Sequence, residues 1–376
     1  MPQSTKISTA IRAAEGPLLL ETPSQLSAAA KEWQGSTSLG IDTEFVRERT
    51  YRADLGLVQI SDGDTAWLVD PIAIGSMEPL TNLLAAPEIT KILHSGSEDL
   101  EVLLHVLGVL PEPLIDTQIA CAMLGQPLQM GYHHAVKWLF DVDIDKDQTR
   151  SNWCRRPLTP KQLRYAAMDV VLLPMVLREL RLRLEDCGRW PWLQEDVNRM
   201  KQSALNPVTP ETAYLRFANN ARLEESTLRV LRALAAWREE TAQSKNKARG
   251  FVVSDAGLMQ LAKIKPSHSE EIRDIEDLHP GMLRRYQEQL LQLIAEARTD
   301  RTGIDRIENL SRAEQRQLNA MRKIVRTRAG ELGVDPALLA SKRELEKLIR
   351  AISNDQPLPE RFQGWRKQVI TEELMQ

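Results

Sequence analysis

The chain has 376 residues, of which 42% are hydrophobic, and a net charge of −3. That length exceeds one typical domain and predicts two or three. No apolar run approaches the roughly 18 residues of a membrane span. The opening MPQSTKISTAIRAAEG lacks the apolar stretch of a secretory signal, and three widely spaced cysteines (Cys121, Cys154, Cys187) suit neither a disulfide framework nor a zinc site, so a cytoplasmic protein with reduced thiols and no membrane segment is expected.

In chain order, SLGIDTEF, LGLVQISDG and TAWLVDP are short, β-rich and punctuated by Gly, Asp and Pro, which predicts three consecutive strands joined by tight turns. MEPLTNLLAA has helical spacing, ITKILHS reads as a strand, SEDLEVLLHVLG returns to helical period, and PLIDTQ is another short strand. The resulting βββαβα pattern predicts an α/β layer. Helices dominate from Thr117, ending in a long one after Thr159 and Pro160 that Pro174 should kink and Gly188 should end. The Pro-containing SALNPVTPET predicts a linker, and the chain beyond it reads as nearly all helix. Two stretches there, LRALAAWREETAQ through MQLAK and LNAMRKIVRTRAG through KLIR, echo one another as copies of a small helical module, with EARTDRTGIDRIENLS between them. Charge divides along the same line. Residues 1–210 carry 20 Lys and Arg against 27 Asp and Glu, and residues 211–376 carry 29 against 25. An acidic half repels nucleic acid unless cations neutralise part of it, and a mildly basic half can supply attraction.

Within LGIDTEFVRE, Asp42 and Glu44 lie two apart on a strand and so share one face, opposite Ile41, Thr43 and Phe45. Two like charges that close stay ionised cheaply only beside water or a cation, so the pair is either a solvated strand end or half of a divalent-metal site. Asp99 falls in the first turn of a helix, where it could merely favour the helix dipole beside a Ser95–Glu98 capping box. Tyr165 and Asp169 lie four apart on one helix face, as an ordinary surface pair also would. Taken together, Asp42, Glu44, Asp99 and Asp169 are four carboxylates that an α/β layer can bring to one edge, with a tyrosine beside the last. Such a set suits two divalent cations about 4 Å apart, the arrangement that activates a water and stabilises the leaving oxygen in phosphodiester hydrolysis. Oxygen ligands favour Mg²⁺ or Mn²⁺ over zinc.

These motifs, DTEF, HSGSEDLEVL and YAAMD, resemble those of ribonuclease D, in the tyrosine subtype of the DEDD exonucleases. TYRADLGLVQIS, PLIDTQIA and SNWCRRPLTPKQLRYAAMD extend the likeness over nearly all of residues 20–190, and RALAAWREETAQ through MQLAK resembles the helicase-and-ribonuclease-D C-terminal (HRDC) module; the second helical copy fits it less well. TYRADL departs slightly from the family pattern before the second strand, without touching a motif residue. The resemblance implies an RNase H-like exonuclease domain over 1–205, an HRDC-type nucleic-acid-binding module over 212–298 and a divergent one over 307–376. It also implies 3′-to-5′ trimming of tRNA precursors and other single-stranded RNA 3′ ends by a monomer, with release of 5′-monophosphates. In that scheme Asp42, Glu44 and Asp169 hold the cation nearest the attacking water, Asp42 is shared with a second cation, and Asp99 supports that second one. Tyr165, whose ordinary pKa near 10 makes it a poor base, orients the water. A DNA exonuclease of the same fold and a non-catalytic nucleic-acid-binding module are the alternatives.

Other candidates are subordinate. Adjacent His133 and His134 diverge on a helix and make a poor metal pair, and His94 reads as a packed neighbour of the site. Trp153 with Arg155 and Arg156 could reach substrate by stacking and phosphate contact. The basic run from Arg312 to Arg328 is either a solvated helix face or an RNA-backbone contact.

Overall fold

The computed structural model describes residues 3–144, 151–217, 223–275, 277–306 and 309–376. They form two compact units, one of residues 1–46, 54–205 and 311–376, the other of residues 47–53 and 206–310.

The first unit is built on six strands, β1 (Leu18–Leu20), β2 (Ser38–Val46), β3 (Asp54–Ser61), β4 (Ala66–Val69), β5 (Thr90–Leu93) and β6 (Leu114–Asp116), in the order β1-β4-β3-β2-β5-β6. The three strands expected in succession are β2, β3 and β4, and they pair antiparallel. β5 and β6 add in parallel on one side, and β1 adds parallel to β4 on the other. β1 has no counterpart in the sequence reading, because LLL is too short to show any period. β3 is buried along all but its first residue, so it carries a continuous apolar run rather than an alternating one.

The expected long helix is two: Pro160–Val171 and Leu173–Asp186, with Pro174 in the first turn of the second. Thr159 and Gln162 close a capping box at the start of the first. Its approach to the sheet depends on Gly40. A Cβ there would lie 2.7 Å from the Val170 carbonyl oxygen and 2.8 Å from Leu173 Cβ, so only glycine lets the helix junction settle on β2.

The segment 311–376 belongs to this same unit. Its helices Arg312–Leu332 and Lys342–Ser353 each begin with a Ser–Glu capping box. Fully buried Arg366 donates bidentately to Asp196 on the Trp190–Leu205 helix, at 2.7 Å to each oxygen. Trp365 stacks on Trp192 with centroids 4.4 Å apart.

In the second unit, the helices Glu225–Ser244 and Pro280–Thr299 pack with Asp255–Ile264 around Leu228, Leu231, Leu258, Leu261 and Leu290. The β2–β3 connection, residues 47–53, is part of this unit: the Tyr51 hydroxyl donates to buried Glu239, which also accepts from Arg249 at 2.6 Å. Among the described residues no helix is long and apolar enough to cross a membrane.

Candidate active site

The strand register puts Gly40, Asp42 and Glu44 opposite Ser61, Gln59 and Leu57, so these six share one face of the sheet. Gly40 shows which face it is, since its missing side chain is replaced by the Val170–Leu173 junction. The helix that carries Tyr165 and Asp169 therefore lies over Asp42 and Glu44. Carboxylate oxygens of Asp42, Glu44 and Asp169 all come within 4.8 Å of one another.

Asp99 reaches the group by another route. It stands in the first turn of the Ser97–Leu107 helix, just past the end of β5, is 7% exposed, and accepts a short hydrogen bond from the Thr43 hydroxyl. It therefore adjoins the Asp42–Glu44–Asp169 group from the Thr43 side without joining the tight triad. The Ser95–Glu98 capping box does not form: the N-cap is Gly96 and makes no side-chain cap, while Ser95 takes φ 63°. Gly96 N–H instead donates to Asp116 Oδ2 at 2.8 Å.

The electrostatics follow from this crowding. Burial raises the pKa of every member, and like charge adds to it at Asp42, Glu44 and Asp99. Asp42 is held well above the carboxylate range by burial and then by Asp99, Asp169 and Glu44. Glu44 is pushed up to about 9 by burial, Asp169 and Asp99. Asp169 rises to about 7 and Asp99 to about 6, burial dominating in both, with the Tyr165 hydroxyl relieving the first and Thr43 the second. Tyr165 itself is raised by burial and by Asp169 and Glu44, so its hydroxyl keeps its proton.

Four carboxylates whose repulsion is this poorly compensated fit a divalent cation. The donor set is all hard oxygen, which suits Mg²⁺ or Mn²⁺ geometry and offers zinc no nitrogen or sulfur.

The remaining sequence candidates divide clearly. His94 is packed, bonded to Thr117 Oγ1 at 2.8 Å and the Met130 carbonyl at 2.7 Å, and burial pushes its pKa down. His133 and His134 lie ring against ring, 3.7 Å between centroids, and neither belongs to the Asp42–Glu44–Asp169 group. Trp153, read as able to stack on substrate, is only 2% exposed and so cannot. Arg156 is engaged with Asp70 at 2.5 and 2.8 Å and with the Gly56 carbonyl at 2.7 Å, which removes it as a free phosphate contact.

Two neighbours escaped the sequence reading. Thr43 was assigned to the far face by strand period, and nothing in DTEF signals that its hydroxyl meets Asp99. Tyr132, in GYHHAVKW, is raised in pKa by burial and by Asp169 and Asp42, and its hydroxyl accepts from the Leu172 N–H at 3.3 Å, at the break between the two helices.

Comparison with known proteins extends these observations along the chain. Residues 18–185 match the model of the 3′–5′ exonuclease family, residues 227–294 that of the HRDC domain, and residues 315–374 that of the ribonuclease D C-terminal HRDC domain. Ribonuclease D of Pseudomonas paraeruginosa is 39% identical over 93% of this chain and 94% of its own. Ribonuclease D of Escherichia coli K12 is 33% identical over 95% and 96%. The crystal structure of the Escherichia coli protein, described as an exoribonuclease involved in structured RNA processing, superposes with a TM-score of 0.90 at 32% identity, covering 96% of this chain and 98% of that one. Likeness of this degree, running through the exonuclease fold and both helical modules, means that the chain belongs to the ribonuclease D family.

Proposed function

We propose that this 3′-to-5′ exoribonuclease trims the 3′ ends of tRNA precursors and other small structured RNAs as a monomer, releasing 5′-monophosphates, with Asp42, Glu44, Asp99 and Asp169 holding two Mg²⁺ or Mn²⁺ ions. The observation that carries the reading is the convergence of Asp42, Glu44 and Asp169 within 4.8 Å, against a tyrosine that cannot ionise near neutral pH. When bound, the cations would supply an acidified water and neutralise charge at the scissile phosphate and its leaving oxygen.

The chain's own residues do the rest. Asp42, Glu44 and Asp169 bind at the face shared with the Pro160–Val171 helix, and Asp99 binds from the Thr43 side. Tyr165 keeps its proton on Oη and so orients the attacking water by hydrogen bonding rather than accepting its proton. The Thr43 hydroxyl holds Asp99 through Oδ1 and so fixes the direction from which that carboxylate approaches the group.

RNA would be held in part by the helical unit. There a recess of about 470 Å³ is lined by Phe251, which is 62% exposed, beside Lys247, Arg285 and Tyr286. An exposed aromatic ring between cations is the chemistry that takes a stacked base and its phosphates. The test is incubation with Mg²⁺ and matched 3′-labelled RNA and DNA. Single labelled nucleotides released from RNA alone support the reading; equal release from DNA, or release from RNA in the presence of chelator, overturns it.

A further inference from the structure

A second recess of the helical unit, about 430 Å³ in volume, adjoins the one beside Phe251 and shares Gly250 and Ser254 with it. Its walls carry three arginines, Arg47, Arg216 and Arg249, and one acid, Asp255. The acid does not offset them. Asp255 accepts at 2.7 Å from Arg238, which is 2% exposed and also donates to the Val253 carbonyl at 3.0 Å, so a fourth guanidinium backs the recess. Burial lowers the Arg238 pKa, and Arg216 and Arg249 lower it further against the pull of Asp255, as like charges at close quarters do. The shape is set before any ligand arrives. Arg249 is held by Glu239 at 2.6 Å to each carboxylate oxygen and lies over the Tyr51 ring, 4.7 Å from its centroid. The connection that supplies Arg47 is pinned on both sides of Tyr51: the Ala248 N–H donates to the Arg49 carbonyl at 2.9 Å, and the Arg52 N–H donates to Asn246 Oδ1 at 3.0 Å. Arg47 and Arg216 are exposed, and among the described residues Arg216 closes no ion pair.

We propose that the recess of Arg47, Arg216 and Arg249 is a binding subsite for internucleotide phosphates of single-stranded RNA, next along the strand from a base stacked at Phe251. The inference rests on the reading above that the helical unit holds RNA. Guanidiniums fit phosphate oxygens in pairs, and a row of them continuous with an exposed aromatic ring matches the alternation of charge and flat base along a nucleotide strand. Arg47 directly follows β2, three positions after Glu44. The segment that carries this phosphate contact is therefore the continuation of the strand that carries Asp42 and Glu44.

Binding of the full chain to a single-stranded oligoribonucleotide, measured in chelator at several salt concentrations, tests this. Arg216→Ala breaks no ion pair and should weaken binding about fivefold at about 0.1 M salt, the factor that a slope of about 0.7 spans between 0.1 M and 1 M. It should reduce the slope of log affinity against log salt by that same amount, and Arg216→Lys, which restores the charge, should restore the slope. Oligonucleotides with one neutral methylphosphonate linkage, moved stepwise from the 3′ end, locate the phosphate. The parent chain should lose about fivefold at one position, and Arg216→Ala should lose nothing further there. Neutral linkages that weaken parent and variant alike at every position overturn the proposal, as does an unchanged salt slope. So does a loss of affinity for a 5′-mononucleotide with none for the oligonucleotide, which would make the recess a site for released product. Phe251→Ala is the control. If it weakens binding while Arg216→Ala is inert, this subsite alone is overturned; if both are inert, the reading that the helical unit holds RNA falls with it.

Discussion

At the residue scale, Asp42 is the member of the site most exposed to its neighbours' charge: Asp99, Asp169 and Glu44 all raise its pKa on top of burial. Asp42→Asn should therefore act in opposite directions on activity and stability. Hydrolysis should fall to background at saturating Mg²⁺, while the chelated protein should gain stability near neutral pH, because the substitution removes a charge that burial and three neighbouring carboxylates oppose. Denaturant melts in chelator, paired with single-turnover assays, check both halves, and normal turnover would remove Asp42 from the site. The pH dependence has a definite sign. A carboxyl whose folded pKa lies above its unfolded value binds protons more tightly when folded, so its contribution is present below the unfolded pKa and is lost as pH rises through the folded one. With Asp99 at about 6, Asp169 at about 7 and Glu44 at about 9, the chelated protein should lose stability from about pH 4 to pH 9. The decline should be smaller in Asp42→Asn. Saturating Mg²⁺ should flatten it, and a melting temperature that rises across this window in chelator would contradict the assignment. Tyr165→Phe, which deletes only the hydroxyl, should lower kcat strongly with KM for RNA little changed; the reverse split would move Tyr165 to substrate binding.

At the level of elements, the site is assembled by how closely a helix junction can approach a strand. Gly40→Ala would put a methyl group against the Val170 carbonyl and Leu173 Cβ, both within 2.8 Å. The helix carrying Tyr165 and Asp169 would have to lift. A cost of about 1–3 kcal/mol in stability is expected from overpacking, together with a loss of turnover larger than that of a remote destabilising variant matched for melting temperature. Parity between the two would mean that the strand-to-helix spacing is not what tunes the site. Much of this arrangement was legible in the sequence. Period two put Asp42 with Glu44, the four-residue spacing put Tyr165 with Asp169, and Thr159–Pro160 marked the helix start, because each is a local geometric consequence of backbone repeat. What escaped depends on contacts between segments distant in sequence. Thr43 meets Asp99 across 56 positions, beyond the end of a strand that its own period could not reveal. Trp153 looked like an accessible aromatic because its burial is supplied by Gly56 and Tyr165, and the cap at Ser95 failed because Ser95 takes a left-handed φ of 63° rather than the extended backbone of an N-cap.

At the scale of the whole molecule, the two helical modules make unlike physical contributions. The second is tied into the exonuclease unit by the buried Arg366–Asp196 pair, which burial opposes and Arg366 hydrogen bonding sustains, so that the Asp196 pKa lies below its ordinary value. Asp196→Ala strands a fully buried guanidinium and should cost about 3–5 kcal/mol, read as an early loss of the fold in urea; a change below about 1 kcal/mol would show that the segment merely rests on its neighbour. A chain cut near Asn206 would suffer the same loss, so it is a poor probe of RNA binding. Point changes in the other module are cleaner. Lys247 and Arg285 border the recess beside exposed Phe251, and among the described residues neither side chain closes an ion pair. If each neutralises one RNA phosphate, removing it releases one fewer condensed counterion on binding. Lys247→Ala and Arg285→Ala should then weaken RNA binding in dilute salt, and each should reduce the slope of log affinity against log salt by about 0.7 for a single strand. Phe251→Ala should weaken binding by about 1–3 kcal/mol while leaving that slope unchanged, because stacking releases no ions. The three variants thus separate charge from stacking in one set of titrations. Slopes that stay at the parent value in both charge variants, with turnover on short RNA intact, would remove the recess from the RNA path.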